Sequence, residues 1–268
     1  MPQGFDNFIG AVGDVIKTAP TLYEDALQPT VKEVGKFAAR IPRAINAAFS
    51  GLDKWILGKE NNIEETKKLL AYKLENVDPE KIVTPEAYVA VPAIQAISYS
   101  MDSEELRNLY ANLLAKAMNY DTKDHVHPAF VEIIKQMSPI DAQTLQYILN
   151  EPEKMIPIVD IIATRPLSED EDDIDYIILQ PNITPMTFDS IKSIAISIEN
   201  LFRLSLIHID NEDEYTDGYD SIFKSNTFIE LVKEHSALLP TKYQSISTIN
   251  KVGDLSVLGH SFCEICIL

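Results

Sequence analysis

Apolar side chains recur at spacings of three and four residues through much of the first half of the chain, which predicts a series of amphipathic helices. The first of these patterns covers residues 31–58, and a second helix is predicted at 63–74. Pro42 lies inside the first pattern and predicts a kink or a break there, because proline removes a backbone donor and clashes with the preceding turn.

The segment at 87–99 carries no charged side chain at all. It is too short to cross a bilayer, so we interpret it as a helix that is buried in the core and bent at Pro92. Thr84 is the predicted N-cap of this helix, with Pro85 at its first helical position.

Signals for the start of a helix follow at three further places. Asp102 and Glu105 have the spacing of a capping box. Pro128 opens the next helix, and Ser138 with Pro139 ends that helix and starts another. The middle of the chain is therefore predicted to be a compact helical bundle.

The pattern changes after Pro166, where a run of six acidic side chains between Glu169 and Asp175 predicts a solvated loop. A second acidic loop is predicted at 210–220. Around these loops the sequence predicts strands at 176–179, 206–209 and 245–250, a helix at 188–204, a turn at Gly253 and a final apolar segment at 258–268.

Together these patterns predict a mainly α fold, in which an N-terminal helical bundle precedes a winged-helix-like α+β C-terminal region. We divide the chain into an N-terminal amphipathic helical segment at 1–60, a helical bundle core at 61–165 and an acidic winged-helix-like domain at 166–268. A chain of 268 residues is long for one compact core, which favours such a division.

The charge of the chain makes one class of partner unfavourable. The formal net charge is −18, and residues 166–268 hold eighteen acidic but only six basic side chains. Such a surface repels phosphate backbones, so a nucleic-acid partner is not expected, and a winged-helix-like region would serve protein contact instead. The expected partner is a protein, and a basic surface would be attracted.

The cysteine count and the chain ends bear on location. Cys263 and Cys266 are the two cysteines of the chain, so no disulfide framework is expected and a reducing compartment fits best. The N-terminus has no basic region before an apolar run, so it is not expected to be a secretory signal. We therefore expect a cytoplasmic protein.

Two groups of side chains have the elements of a metal site. His125 and His127 lie beside Asp124, and His260 precedes the two cysteines with a spacing typical of ligands along one helix. A closed site needs four converging ligands, so we interpret the histidine pair as structural and the cysteines as buried in a terminal core element.

The sequence contains no motif of a known catalytic centre, whether a nucleophile elbow, a phosphate-binding glycine loop or a metalloprotease helix. We therefore predict that the protein is not an enzyme and has no catalytic residues, bound metal or cofactor.

A surplus of basic side chains distinguishes the stretch from Lys32 to Lys59, where six basic residues face two acidic ones. An amphipathic helix of this kind can lie on an anionic membrane surface or bind a partner, although packing on the bundle is the ordinary role of its apolar face. The residues predicted to make such a contact are Lys36, Arg40, Arg43, Lys54 and Trp55. Membrane contact would place the protein peripherally at the inner face of the membrane.

Two central stretches carry a family resemblance, AISYSMDSEELRNLYANLLAKAMNYDT at 96–122 and HPAFVEIIKQMSPIDAQ at 127–143. Together they resemble the core signature of the Abi-alpha (abortive infection alpha) family of bacterial proteins. IENLFRLSLIHI at 198–209 and LSVLGHSFCEIC at 255–266 are similar to later segments of that family, and QPTVKEVGKFA at 28–38 also fits.

The resemblance implies a role in abortive infection, in which an infected bacterium dies or stops growing before phage is released. It implies no enzymatic activity, and the matching residues are mostly apolar or helix-capping. The resulting hypothesis is an antiphage protein that acts through protein or membrane-surface interaction. A winged-helix transcriptional regulator and a hydrolase with an unrecognised site are the alternatives.

Overall fold

The computed structural model describes residues 40–49, 60–97, 103–166, 174–211 and 218–268. Helices hold more than half of these residues, and one four-stranded antiparallel sheet completes an α+β fold. The helical majority is as predicted, whereas the sheet is larger than the sequence indicated.

Ten α-helices and four strands occur in the described part of the chain. The helices are α1 (Arg40–Phe49), α2 (Glu60–Leu74), α3 (Ala87–Ile97), α4 (Glu104–Ala117), α5 (Ala129–Lys135), α6 (Pro139–Asn150), α7 (Ile191–Arg203), α8 (Tyr219–Phe223), α9 (Asn226–Ala237) and α10 (Val257–Cys266). The strands are β1 (Met155–Pro166), β2 (Ile174–Ile183), β3 (Ile207–Asp210) and β4 (Ser245–Leu255).

The chain forms two compact units. Among the described residues, the first comprises 40–49, 60–97 and 113–127, and the second comprises 103–112, 128–166, 174–211 and 218–268. Helix α4 therefore contributes its first part to the second unit and its last turns to the first unit.

The first unit is built from helices that bury one face each. Ile45 of α1 is buried, and Leu70 and Leu74 of α2 have no solvent exposure. Helix α3 buries Val89, Ala90, Ala93, Ile94, Ala96 and Ile97, as its uncharged sequence predicts. Burial of these aliphatic side chains is the main stabilising contribution within this unit.

A short main-chain pairing closes the first unit. The Val83 N–H donates to the Met118 carbonyl at 2.8 Å, and the Tyr120 N–H donates to the Lys81 carbonyl at 2.8 Å. Ile82 between these bonds is buried. The turn that precedes the pairing is a 3₁₀-helix at Pro79–Lys81, and the Asp78 carboxylate accepts the Glu80 N–H there.

Helix α6 of the second unit begins at the predicted Ser138–Pro139 start, and the structure forms a capping box there. The Ser138 hydroxyl accepts the Asp141 N–H, and the Asp141 carboxylate accepts the Ser138 N–H at 2.6 Å. Both bonds satisfy donors that the first turn of a helix leaves without a partner.

The sheet of the second unit has the strand order β2-β1-β4-β3, and all of its pairings are antiparallel. Strand β1 is buried from Ile156 to Ala163, which means that it is covered on both faces. One cluster of side chains covering β1 contains Val159, Ile161, Ile183, Tyr219, Ile222 and Phe228, which brings α8 and α9 against the sheet. Elsewhere α6 and α7 pack together, with a buried bond from the Ser197 hydroxyl to Thr144 Oγ1 at 2.9 Å.

Two predicted helix starts are wrong by one or more residues. Helix α3 begins at Ala87 rather than at Pro85, because the first helical bonds run from the N–H groups of Val89 and Ala90 to the Glu86 carbonyl. At the start of α4 the Ser103 hydroxyl accepts the Leu106 N–H at 3.2 Å. Ser103 therefore caps α4, while Asp102, to which the sequence assigned this role, lies outside the described residues.

Three corrections apply to the C-terminal part. The sequence placed no strand at Met155–Pro166, although β1 is the most buried strand. The turn predicted at Gly253 is wrong, since Gly253 lies within β4 and pairs with Ile156 and Ile209. The helix Asn226–Ala237 was not predicted, and the final apolar segment is the helix α10.

Some predictions concern residues that the structure does not describe. These are the parts of the basic helix at 31–39 and 50–58, the acidic run at 169–173 and most of the second acidic loop. Pro42 lies in the first turn of α1, where a missing N–H costs little. The winged-helix-like arrangement and the three-part division of the chain stay predictions.

Candidate functional site

An open groove of about 640 Å³ lies within the second unit and is the candidate functional site. One wall comes from the first part of α4 and the other from α6. The C-terminal end of α10 and Phe188 complete it. The lining side chains belong to Glu105, Asn108, Leu109, Asn112, Ala142, Gln143, Gln146, Tyr147, Asn150, Phe188, Cys266 and Ile267.

The helical period explains why these side chains meet. On α4 the lining residues are Glu105, Asn108, Leu109 and Asn112, at the spacing of three and four that places side chains on one face. The lining residues of α6 follow the same spacing. Each helix therefore turns one mixed polar and apolar stripe toward the groove.

Carboxamides dominate the polar part of this lining, so we call the site the amide groove. Five of its twelve lining residues are asparagine or glutamine, namely Asn108, Asn112, Gln143, Gln146 and Asn150. Among the described residues that line it, Glu105 is the one charged side chain, and neither lysine nor arginine is present.

Several of these carboxamides are held in place by hydrogen bonds. The Gln143 side chain donates to the Glu105 carboxylate at 2.7 Å, and Gln146 Nε2 donates to Asn150 Oδ1 at 3.3 Å. Asn112 Nδ2 donates to the carbonyls of Cys266 and Ile267 at 2.8 and 3.2 Å, which satisfies the C-terminal end of α10. In the described part of the chain, no residue hydrogen-bonds to the Asn108 carboxamide.

Two ionisable groups of the groove are shifted in opposite directions. A bond from its own backbone N–H, and then the Gln143 amide, hold the pKa of the Glu105 carboxyl below its ordinary value. Burial, together with a hydrogen bond to Glu151, raises the pKa of Tyr147. Glu105 is thus a weaker base and Tyr147 a weaker acid than usual, which suits binding better than proton transfer.

A second surface feature lies on β2, which is the outer strand at one end of the described sheet. Ile174, Tyr176 and Ile178 alternate along it and are each about half exposed, at 51, 50 and 51%. They face the same side, because side chains alternate along a strand. We call these three residues the β2 patch.

The residues predicted to contact a membrane or a partner are only partly within the described chain. Arg40 and Arg43 lie in the first turns of α1 and are exposed, while Ile45 of the same helix is buried. Lys36, Lys54 and Trp55 fall outside the described residues. Of the two predicted contact residues that the structure describes, neither Arg40 nor Arg43 lines the amide groove.

The terminal histidine and cysteines do not converge on a common point. Cys263 and Cys266 are free and buried on the inner face of α10, as the sequence predicts, whereas His260 is exposed. His125 and His127 are likewise exposed. In the part of the chain that the structure describes, no group of three or more histidine, cysteine or acidic side chains could hold a metal ion.

We expect both cysteines of the native protein to resist a thiol reagent. Burial raises the pKa of the Cys263 thiol to about 12 and raises the pKa of the Cys266 thiol well above its ordinary value, so little thiolate exists near pH 8. A colorimetric disulfide reagent at pH 8 should react at least about a hundredfold more slowly with the native protein than with protein in guanidinium. If native protein rapidly released even one equivalent of the coloured thiolate from the reagent, the packing of α10 would be contradicted.

The described residues form an α+β fold with a groove whose polar lining consists mainly of carboxamides. A family model described as abortive infection alpha matches residues 58–266, so the chain belongs to the Abi-alpha family. No curated protein and no solved structure matches the chain.

The family match includes four of the five stretches that carry the resemblance, and the stretch at 28–38 lies outside it. It also covers the helices that form the amide groove. The groove itself was not predicted from the sequence. The spacing of four between Asn108 and Asn112 does indicate that they share one face of a helix. That this face lies across the groove from α6 depends on tertiary packing.

Proposed function

We propose that this Abi-alpha protein acts in abortive infection of phage-infected bacteria without catalysing a reaction, by binding a partner protein. Membership of the family supports the defence role. The β2 patch carries the proposed protein contact, because three adjacent half-exposed apolar side chains on an outer strand are typical of an interaction surface.

The chemistry of the amide groove supports binding rather than catalysis. Carboxamides do not ionise in the ordinary pH range and are poor nucleophiles, so they orient and select a ligand. The one carboxylate of the lining is occupied by the Gln143 amide and by the Ser103 hydroxyl at 3.0 Å.

The charge of the chain indicates which kind of protein would bind the β2 patch. Six acidic side chains lie between Glu169 and Asp175, immediately before and at the start of β2 in the sequence. A second copy of the chain would bring like charges together, whereas a basic partner would be steered toward the strand. An edge strand can add a partner strand by main-chain pairing. We therefore propose a basic partner.

A variant with Tyr176→Thr and Ile178→Thr is expected to lose phage protection. Threonine is β-branched and suits a strand, but it removes most of the apolar surface of the β2 patch. On a panel of phages, the plaquing efficiency of any phage that the wild type restricts should rise at least tenfold on cells expressing the variant. Immunoblots should show equal protein levels.

The matched control is Val257→Thr, which makes a similar change at a side chain that is 87% exposed and lies on α10. It should protect like the wild type. Full protection by the patch variant would contradict a role of the β2 patch. If the wild-type chain restricts no phage on the panel and its induction does not arrest growth, the defence role itself is contradicted.

A membrane surface is a second candidate partner, favoured by the exposed Arg40 and Arg43 of α1. Within the described residues no helix has both the length and the apolar character needed to cross a membrane. Contact through these two arginines would be electrostatic. Replacement of both arginines by glutamate should abolish flotation of the full-length protein with anionic liposomes if this candidate holds.

We also propose that the C-terminal region is winged-helix-like and serves as a protein-contact module. Its support is the acidic surplus of that region, which disfavours approach to phosphate backbones. No observation on the described residues favours a transcriptional regulator or a hydrolase over the proposed contact function.

A further inference from the structure

We infer that the amide groove binds an extended polypeptide segment of a partner protein and recognises mainly its main chain. The inference rests on the proposed function, since it names a class of ligand for a protein that acts by contact. The site is separate from the β2 patch, because no patch residue lines the groove. Each surface can therefore be tested without the other.

The carboxamide groups supply the chemistry for this recognition. A carboxamide has an N–H donor and a carbonyl acceptor in one plane, which is the same pair of functions that a peptide group presents. In the bonds given above, Gln143 and Gln146 donate through Nε2, which leaves their Oε1 atoms available as acceptors. The whole carboxamide of Asn108 is available, as both donor and acceptor.

The spacing of the carboxamides matches the repeat of an extended chain. Asn108 and Asn112 are four residues apart on α4, which corresponds to about 6 Å along a helix. An extended chain repeats its main-chain orientation every two residues, or about 6.6 Å. Gln146 and Asn150 have the same separation on the facing helix α6. Both walls can therefore engage successive peptide groups of one segment.

The charge of the groove excludes the most obvious competing ligand class. A nucleotide or another phosphate-bearing ligand would need a basic side chain, and the described lining residues include none. Glu105 would instead repel such an anion. A neutral or basic peptide meets no such penalty.

The apolar part of the lining provides one anchor. Leu109 and Ala142 are buried in the lining, and the rings of Tyr147 and Phe188 border it. Since Phe188 is 40% exposed, its ring can contact a ligand without reorganisation of the core. The bound segment should therefore carry one apolar side chain between residues that are recognised through their main chain.

The test begins with a library of random twelve-residue peptides, displayed on filamentous phage and selected on the full-length protein. Selected sequences are synthesised with a fluorophore, and their affinities are measured by anisotropy. Two further peptides carry N-methyl groups at even or at odd positions, which removes alternate main-chain donors. One of these two should bind at least tenfold more weakly than the parent, and the other should be affected less.

The protein variants are Asn108→Leu and Gln146→Leu, with Asn108→Asp as a change that preserves size. Each should weaken binding of the selected peptides at least tenfold. Gln244→Leu is the matched control, because Gln244 is exposed and does not line the groove. It should change the affinity by less than twofold. Circular dichroism spectra should check that all four variants are folded before their affinities are compared.

Three results would overturn the inference. The first is failure to select a peptide. The second is peptide binding that neither N-methylation nor the groove variants weaken. The third is displacement of the bound peptide from the groove by simple saccharides or nucleosides that compete for Asn108. The plaquing assay described under the proposed function distinguishes failure of this inference from failure of that function. Loss of protection in the β2 patch variant, without peptide binding in the groove, would leave the proposed function standing and refute the groove inference. Peptide binding in the groove without any restriction of phage would support the groove inference and refute the proposed function.

Discussion

Gly259→Ala is expected to destabilise the protein by more than about 3 kcal/mol, the largest effect that we predict for one methyl group. A Cβ at Gly259 would lie 1.9 Å from the Leu206 carbonyl oxygen and 2.9 Å from its carbon. Both are backbone atoms, so no side-chain rotation relieves the clash. The first turn of α10 would have to move away.

That movement would break several hydrogen bonds at once. The Ser256 N–H donates to the Leu206 carbonyl at 3.0 Å, and the Ser256 hydroxyl donates to the Ser205 carbonyl at 2.6 Å. The same hydroxyl accepts the Gly259 N–H at 2.8 Å and so caps α10. Urea unfolding followed by circular dichroism measures the loss of stability.

Gly253→Ala is the matched control. The nearest atom to its added Cβ would be Ile158 Cδ1 at 2.8 Å, the mobile end of a side chain, and alanine suits a strand better than glycine. We expect a loss of about 1 kcal/mol or less. Equal losses for the two variants would contradict the close approach of α10 to Leu206.

The elements predicted well are those whose own residues specify them. Helix α3 follows from an uncharged run that must be buried, and α6 begins where Ser138 and Asp141 form reciprocal bonds. Both signals are local, so packing elsewhere does not alter them.

Strand β1 was missed for a physical reason. It is buried on both faces, so its sequence is mostly apolar apart from Asp160 and lacks the alternation that marks a half-exposed strand. The β-branched residues Ile156, Ile158, Val159, Ile161 and Ile162 were the available signal.

Gly253 shows that one residue type can serve two purposes. Its sequence context suggested a turn, but Gly253 lies inside β4 and pairs with Ile156 of β1 and Ile209 of β3. The amide groove could not be predicted for a similar reason. Its walls come from helices whose opposition is set by the core, and polar residues at helical spacing are ordinarily solvent-facing.

Lys251→Met is expected to destabilise the protein by about 3 kcal/mol or more, because it leaves a buried carboxylate without its counterion. Asp160 is 3% exposed, and its carboxylate accepts Lys251 Nζ and the Asn182 N–H, each at 2.8 Å. Lys251 Nζ also donates to Asn182 Oδ1 at 2.8 Å, and Asn182 Nδ2 donates to Glu199 at 2.7 Å. Lys251 on β4 therefore contacts both Asp160 on β1 and Asn182 on β2.

The double variant Asp160→Asn with Lys251→Met provides the test of this coupling. An asparagine at position 160 is uncharged, and its Oδ1 can still accept the Asn182 N–H. Because the buried charge is gone, the double variant should recover at least about half of the stability that Lys251→Met loses. Free energies of unfolding in urea for the wild type, both single variants and the double variant complete the cycle. If the losses of the single variants simply add, Asp160 and Lys251 are not coupled, and Lys251 stabilises the sheet through its contact with Asn182 alone.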